Sequence, residues 1–234
     1  MQTTLNAFLK DLKGIFIKPG ITLGKMMDQK KWVGSFILIL LVIGICSYIN
    51  LPYEMAQSAE ILQDSKFADY LEYDPADSSR PISSLRRAFL SSGTVFLLAL
   101  SLAVAAFFIY LFYGIGGAEG LYVNYFSLAV NASIIHTLIP SLLSTVSMPL
   151  GLDITATTNA AVFFPSLPGK SFLALLLSQL ELFSIWYIVV IAAGIAVFAK
   201  ITFKKSLTIA IFYFCFRSLI LVLFSYLALQ LSGM

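Results

Sequence analysis

Five apolar stretches, each long enough to cross a lipid bilayer as a helix, constrain the fold of this chain more than any other feature. A helix needs about 20 apolar residues to cross a hydrocarbon core of about 30 Å. Because 59% of the 234 residues are hydrophobic and only 12% are charged, a soluble domain of this size could not bury the apolar surface. We therefore predict an all-α polytopic membrane protein, a helical bundle of five transmembrane helices. The predicted spans cover residues 32–51, 88–113, 121–143, 182–199 and 206–230 of a single membrane domain, 32–234.

The distribution of Lys and Arg orients these spans, since basic residues concentrate on the cytoplasmic side of a membrane. Six lysines precede the first span, three follow the fourth, and the turn between the second and third spans has none, which gives nine basic residues on one side. The other side has five, and its first loop, 52–87, holds seven of the twelve acidic residues. We expect a cytoplasmic N-terminus, an outside C-terminus, and external loops over 52–87 and 144–181.

The segment before the first span, residues 1–31, carries an amphipathic pattern. Its apolar residues recur at helical spacing and end near Pro19, with Lys10 and Lys13 on the opposite face. A basic amphipathic helix is typical of a segment that lies on an anionic membrane surface. We expect Lys10, Lys13 and Lys18 to face the head groups of the cytoplasmic leaflet. The alternative is a helix packed beneath the bundle or against a partner protein.

The motifs of common enzyme classes are missing from the sequence. It contains no phosphate-binding loop, no H-E-x-x-H and no G-x-S-x-G. The run from Gly114 to Gly120 follows no strand and predicts a tight turn between two helices. A single histidine, His136, excludes a site with several histidine ligands. We predict a protein that is not an enzyme and has neither cofactor nor metal; an intramembrane enzyme would have only His136 as its base.

Arg217 is the sharpest polar feature inside a predicted span. It lies near the middle of the fifth span, where an arginine costs roughly 2.5–3.5 kcal/mol on insertion scales and cannot lose its proton. Ser206, Ala210, Tyr213 and Arg217 share one helical face, which we expect to turn inward. The functional interpretation is a contact with a substrate or ion, or an ion pair that biases two conformations. The structural alternative is an arginine tied to backbone carbonyls or extended towards the interface.

The third span is the most polar of the five. Asn124 and Asn131 lie on one face of its first half, whereas His136 lies on nearly the opposite face of its second half. A helix with polar residues on two sides is expected to be central in a bundle. These side chains are candidates for a functional site, His136 as a proton relay among them. The alternative is hydrogen bonding between helices, with His136 as a satisfied core histidine.

Several short motifs occur in an order that resembles a known family. They are KPGITLG at 18–24, the glycine pair at 116–117, LFSIWY at 182–187 and KKSLTIA at 204–210. On these residues the chain is similar to the Ypt-interacting-protein (Yip) domain family, and the similarity covers most of its length. The resemblance implies a five-span helical fold with a cytosolic N-terminus, and no catalytic residue to carry over.

The resemblance is to the compact prokaryotic members of that family. Eukaryotic members are linked to Rab-type GTPases and membrane traffic and carry an Asp-Leu-Tyr-Gly-Pro motif, which this sequence lacks. Some prokaryotic members resemble accessory membrane subunits encoded beside ABC-type exporters. The resemblance therefore implies an accessory or scaffold subunit of the bacterial inner membrane. Its expected partners are the lipid bilayer and other membrane proteins, such as ABC-type exporter subunits, or a second copy, and not nucleic acid. The alternatives are a small oligomeric transporter or channel and a trafficking factor of the eukaryotic type.

Overall fold

The computed structural model of the chain describes residues 2–63, 83–152, 158–169 and 171–232. Within these ranges the regular elements are helical, and one isolated antiparallel bridge joins Asn159 to Glu181. The α-helices are α1 (Gln2–Ile17), α2 (Pro19–Asp28), α3 (Val33–Gln63), α4 (Ser84–Ile115), α5 (Tyr122–Ser133), α6 (Ile139–Ser147), α7 (Phe172–Ser178), α8 (Leu182–Phe198) and α9 (Phe203–Ser232). A π-helical segment, Ile134–Leu138, joins α5 to α6, and short 3-10 turns occupy Met148–Leu150 and Ala160–Phe163. The all-α prediction is confirmed for the described residues.

Four helical stretches of the described residues are long and apolar enough to cross a bilayer. They are Val33–Ala56, Ser84–Ile115, Tyr122–Leu150 and Phe203–Leu231, and they correspond to the predicted first, second, third and fifth spans. The predicted fourth span corresponds to α8, which is apolar but has only 17 residues. At about 1.5 Å per residue α8 is somewhat shorter than a typical hydrocarbon core. The finding is thus an integral membrane architecture with four full-length candidate spans and one shorter apolar helix.

Helix α3 is longer than the first predicted span and continues through Pro52 to Gln63. Proline is tolerated there, although it has no N–H for the Tyr48 carbonyl one turn earlier. Most of the acidic residues predicted for the loop 52–87, from Asp64 to Asp77, lie outside the described residues.

A glycine closes the turn that follows α4. Gly117 has a φ of +79°, and the Ala118 N–H donates to the Tyr113 carbonyl. This left-handed glycine cap confirms the tight turn predicted between α4 and α5.

The chain divides into two compact units. The first comprises Met1–Val42, Phe96–Ile139 and Phe183–Phe216. Its core is closely packed: α2 lies against α5 and α8, with Leu23 and Met27 of α2 fully buried. Close approach requires glycine here, since a Cβ added to Gly194 would lie 2.9 Å from Leu128 Cδ1 and 3.0 Å from Leu23 Cβ. The N-terminal helices are therefore part of this unit.

The second unit comprises Ile43–Val95, Pro140–Leu182 and Arg217–Met234. The buried side chains among its described residues include four that are apolar and five that are polar. The apolar ones are Ile43, Cys46, Ala174 and Val222, and the polar ones are Ser47, Asn50, Ser91, Ser147 and Ser218. Buried polar groups need hydrogen-bonding partners, particularly where lipid replaces water. The interior of this unit is therefore a place to search for a site.

Candidate functional site

The polar face of α5 binds the backbone that links α2 to α3. Helix α2 ends in a left-handed residue, Lys30, with a φ of +53°, and the Lys31 N–H donates to the Met26 carbonyl. Asn124 Nδ2 donates to the Met27 carbonyl at 2.7 Å. Such a helix end has several carbonyls without a partner inside the helix. The side chains of α5 supply partners for them.

Asn131 and Ser127 continue this contact deeper along α5. Asn131 Nδ2 donates to the carbonyls of Lys31 and Ser127, both at 2.7 Å, and Asn131 Oδ1 accepts from Ser35 Oγ at 2.5 Å. Ser127 Oγ lies 3.0 Å from the carbonyl oxygens of Met26 and Lys31. Asn131 and Ser127 are completely buried. We call Asn124, Ser127, Asn131 and Ser35 the amide clamp. Its geometry agrees with the structural interpretation, hydrogen bonding between elements.

His136 lies in the π-helical segment and not in regular α-helix. Its ring centroid is 4.9 Å from that of Tyr187 on α8, and its Nδ1 is 3.4 Å from Thr137 Oγ1. Pro140 has no N–H to donate to the His136 carbonyl, which interrupts the α-helical pattern at this point. Single turns of π-helix occur often at functional sites. The histidine is half-buried, and it is separate from the amide clamp in the third span.

Tyr213 lies on the buried face of α9, as predicted. Ser206, Ala210 and Tyr213 are all at most 3% exposed, and the ring of Tyr213 packs edge-on to Phe112 at 6.0 Å. Ser206 joins three helices, because its hydroxyl donates to the Ala192 carbonyl at 2.7 Å and its carbonyl accepts from Tyr113 Oη at 2.8 Å. The inward face of α9 is therefore confirmed for these residues, and their contacts are those of helix packing.

Arg217 is half-buried and lies midway along α9, in the second unit. The ion pair found among the described residues is a different one, between Lys31 Nζ and Asp11 Oδ2 at 3.3 Å near the N-terminus. A permanently charged guanidinium at membrane depth needs a carboxylate, carbonyls or water. Among the described residues no ion pair of Arg217 is found.

The lysines predicted for the membrane surface, Lys10, Lys13 and Lys18, are all exposed. Leu9, Phe16 and Ile17 of α1 and Ile21 of α2 are also exposed, each by about half or more of its surface. One surface therefore combines uncovered apolar side chains with lysines, the combination that suits a membrane interface. The amphipathic helix predicted to end near Pro19 is present as α1, and a second helix that was not predicted, α2, begins at Pro19 and packs into the bundle.

A polar cluster between α3 and α4 was missed by sequence analysis. Arg87 places its guanidinium carbon 5.2 Å from the centroid of the Tyr48 ring, and Ser47 Oγ hydrogen bonds Thr94 Oγ1 at 3.3 Å. Arg87 Nε and Asn50 Oδ1 are buried, and neither has a hydrogen-bond partner among the described residues. Ser47 and Asn50 recur at helical spacing in the sequence, as do Arg87, Ser91 and Thr94, so the signal was present. This spacing was overlooked because Arg87 was counted only as one of the basic residues that orient the spans in the membrane.

The described residues contain no group of three or more His, Cys, Asp and Glu side chains suited to hold a metal ion. The sequence model of the Yip1 domain matches residues 13–226, nearly the whole chain. The chain belongs to the Yip1 domain family. The resemblance inferred from the short motifs is thereby confirmed. The Yip1 domain includes both the amide clamp and the cluster around Arg87, and it extends from the last part of α1 into α9. No curated protein and no solved structure is detectably similar to the chain.

Proposed function

We propose that this Yip1 domain protein is a non-enzymatic accessory subunit of the bacterial inner membrane that binds and organises other membrane proteins, such as an ABC-type exporter. In this proposal five helices cross the bilayer, with α8 as the short fourth span, the N-terminus in the cytoplasm and the C-terminus outside. Lys10, Lys13 and Lys18 face anionic head groups of the cytoplasmic leaflet. The short α8 is accommodated by local thinning of the bilayer.

The observation that carries the proposal is the combination of Arg217 with the uncovered surface of α9. Arg217 has no carboxylate partner among the described residues, and nearby Leu219, Leu223 and Phe224 are exposed by about half or more. A membrane helix from a second protein that carries an Asp or Glu would cover the apolar side chains and neutralise the guanidinium. An apolar helix surface without an arginine could face lipid directly and would need no acidic partner helix.

Crosslinking in intact cells tests this proposal. A photoreactive residue at position 224, on the exposed side of α9, should crosslink to a membrane protein expressed at its native level. The variant Arg217→Met should lose the crosslink, whereas Arg86→Met, which removes an exposed arginine near the start of α4, should retain it. A crosslink that survives Arg217→Met, or a chain that remains alone, would overturn the assignment.

The transporter alternative makes a different prediction, which rests on His136 in its π-helical segment. Purified chain in vesicles should then conduct a solute or ion, and replacement of His136 by Gln should reduce that flux without loss of folded protein. Retention of partner binding by the same variant would separate the two functions.

A further inference from the structure

We propose that the cluster around Arg87 binds the head group of an aminophospholipid, its phosphate at Arg87 and its ammonium at the oxygens of Asn50 and Glu54. This site belongs to the second unit and is independent of the partner-binding role proposed for Arg217. We call Ser47, Tyr48, Asn50, Glu54, Arg87, Ser91 and Thr94 the head-group site.

The two helices bring these residues together. The Ser47–Thr94 hydrogen bond and the contact of Tyr48 with Arg87 fix α3 against α4. On α3, Ser47, Asn50 and Glu54 follow at intervals of three and four residues and so share one face. On α4, Arg87, Ser91 and Thr94 share a face for the same reason. The two polar faces therefore meet.

The depth of the site is that of lipid head groups. Asn50 and Glu54 lie close to the end of the candidate span Val33–Ala56, and Arg87 lies in the first turn of Ser84–Ile115. The latter span has 32 residues, more than the roughly 20 that cross the hydrocarbon core. Its first turn therefore reaches the interface, where phosphates and ammonium groups are found.

The site has donors without acceptors. In the described part of the chain the buried Arg87 Nε has no acceptor. The neighbouring Ser91 hydroxyl already donates to the Arg87 carbonyl at 2.9 Å. The Tyr48 ring holds the guanidinium by a cation–π contact and offers it no acceptor oxygen. A phosphate oxygen is the acceptor for which a guanidinium is best suited.

The site also has acceptors without donors. Asn50 is only 5% exposed, and no described residue donates to its Oδ1. Pro52 has no N–H for the Tyr48 carbonyl, which leaves a backbone acceptor on the same segment. Glu54, one turn beyond Asn50, adds an exposed carboxylate. A ligand that matches the site must therefore accept hydrogen bonds at one end and donate them at the other. A phosphate diester that carries a primary ammonium group does both.

Native mass spectrometry of the full-length, delipidated protein tests the assignment. Phosphatidylethanolamine, phosphatidylcholine and phosphatidylglycerol are added in turn, since the second has no ammonium N–H and the third has no ammonium. We expect phosphatidylethanolamine to be retained about tenfold better than either. Arg87→Gln and Asn50→Leu should abolish this preference, whereas Arg86→Gln, which changes the exposed neighbouring arginine, should keep it. Equal retention of the three lipids, or equal loss in Arg86→Gln, would overturn the proposal.

Thermal unfolding gives a second readout that does not depend on Arg87. Asn50→Leu removes a buried amide whose Oδ1 has no partner among the described residues, so the lipid-free variant should unfold at a temperature no lower than the wild type. Added phosphatidylethanolamine should raise the unfolding temperature of the wild type but not of this variant. If free phosphoethanolamine stabilises the wild type as well as the lipid does, the ligand is a soluble phosphoamine and the lipid assignment is wrong. An equal lipid-induced rise in Asn50→Leu would also contradict it.

Discussion

Asn131 Nδ2 lies 2.7 Å from the carbonyl oxygen of Lys31, one hundred residues away in sequence. This hydrogen bond joins the last turn of α5 to the link between α2 and α3, and both atoms lie in the first unit. The same amide accepts from Ser35 and donates to Ser127. One side chain thus fixes the position at which the chain turns from the N-terminal helices into the first membrane span.

Replacing Asn131 by Ala should destabilise the protein by about 1–3 kcal/mol, because the Lys31 carbonyl and the Ser35 hydroxyl lose a partner in a buried site. The measurement is thermal or denaturant unfolding in a mild detergent. Hydrogen exchange of residues 29–35 should rise at the same time, since the clamp holds that link. Ser101→Ala is the control, because the exposed Ser101 donates to the Leu98 carbonyl of its own helix. An equal loss in both variants would contradict a specific role for the clamp.

Tyr113→Phe should lower stability by about 0.5–1.5 kcal/mol. The substitution removes the hydroxyl that donates to the Ser206 carbonyl at 2.8 Å, and both residues are completely buried. Tyr122→Phe is the matched control, since Tyr122 makes a bond of similar length to the Ala103 carbonyl from an exposed position. Unfolding followed by near-ultraviolet circular dichroism should show the larger loss for Tyr113→Phe, and the reverse order would be inconsistent with this packing.

Gly194→Ala should destabilise the first unit by about 1–3 kcal/mol through overpacking. The new methyl group would lie 3.0 Å from Leu23 Cβ, an atom next to the backbone that cannot rotate away. Gly93→Ala serves as a control because nothing lies within 4 Å of its Cβ position, and it should be neutral or slightly stabilising. Differential scanning fluorimetry of the two purified variants compares them directly. Unchanged stability of Gly194→Ala would mean that α2 and α8 are less closely packed.

Changing Lys10 and Lys13 to Glu should loosen α1 from an anionic bilayer but not from a neutral one. Each exposed lysine near an anionic surface is worth about 1 kcal/mol, and reversal of charge adds repulsion. Hydrogen exchange of residues 6–17 in the full-length protein, in nanodiscs with and without phosphatidylglycerol, measures the effect. Exchange that does not change in the anionic nanodiscs would show that α1 is held by protein contacts alone.

The amphipathic N-terminus illustrates the limit of sequence periodicity. The pattern up to Pro19 was sufficient to predict α1, because a helix with one apolar face has a clear period. The pattern could not show that α2 would enter the bundle. The need for glycine at Gly20 and Gly24 is apparent only when the residues packed against them are known. Those neighbours are Ala193, Gly194 and Val197 of α8, about 170 residues further along the chain.

The polar residues show a similar division. Asn124, Asn131 and Tyr213 could be selected from the sequence because polar groups in an apolar run are costly, and the structure gives buried contacts for all three. The head-group site was missed, because Arg87 and Asn50 lie in different helices at the ends of their spans. Their significance depends on the pairing of α3 with α4, which composition does not report.

The sequence was enough to predict an all-α membrane protein, because the length and apolarity of a helix are local properties that the bilayer selects directly. Its resemblance to the Yip family came from short motifs and not from this composition. Only the tertiary structure decided which polar atoms are satisfied and which remain unpartnered. Asn131 and Asn50 are both asparagines in apolar helices. Asn131 both donates and accepts hydrogen bonds, whereas no described residue donates to Asn50 Oδ1. The difference arises from what the opposing helix presents, and that is a property of packing and not of the residue.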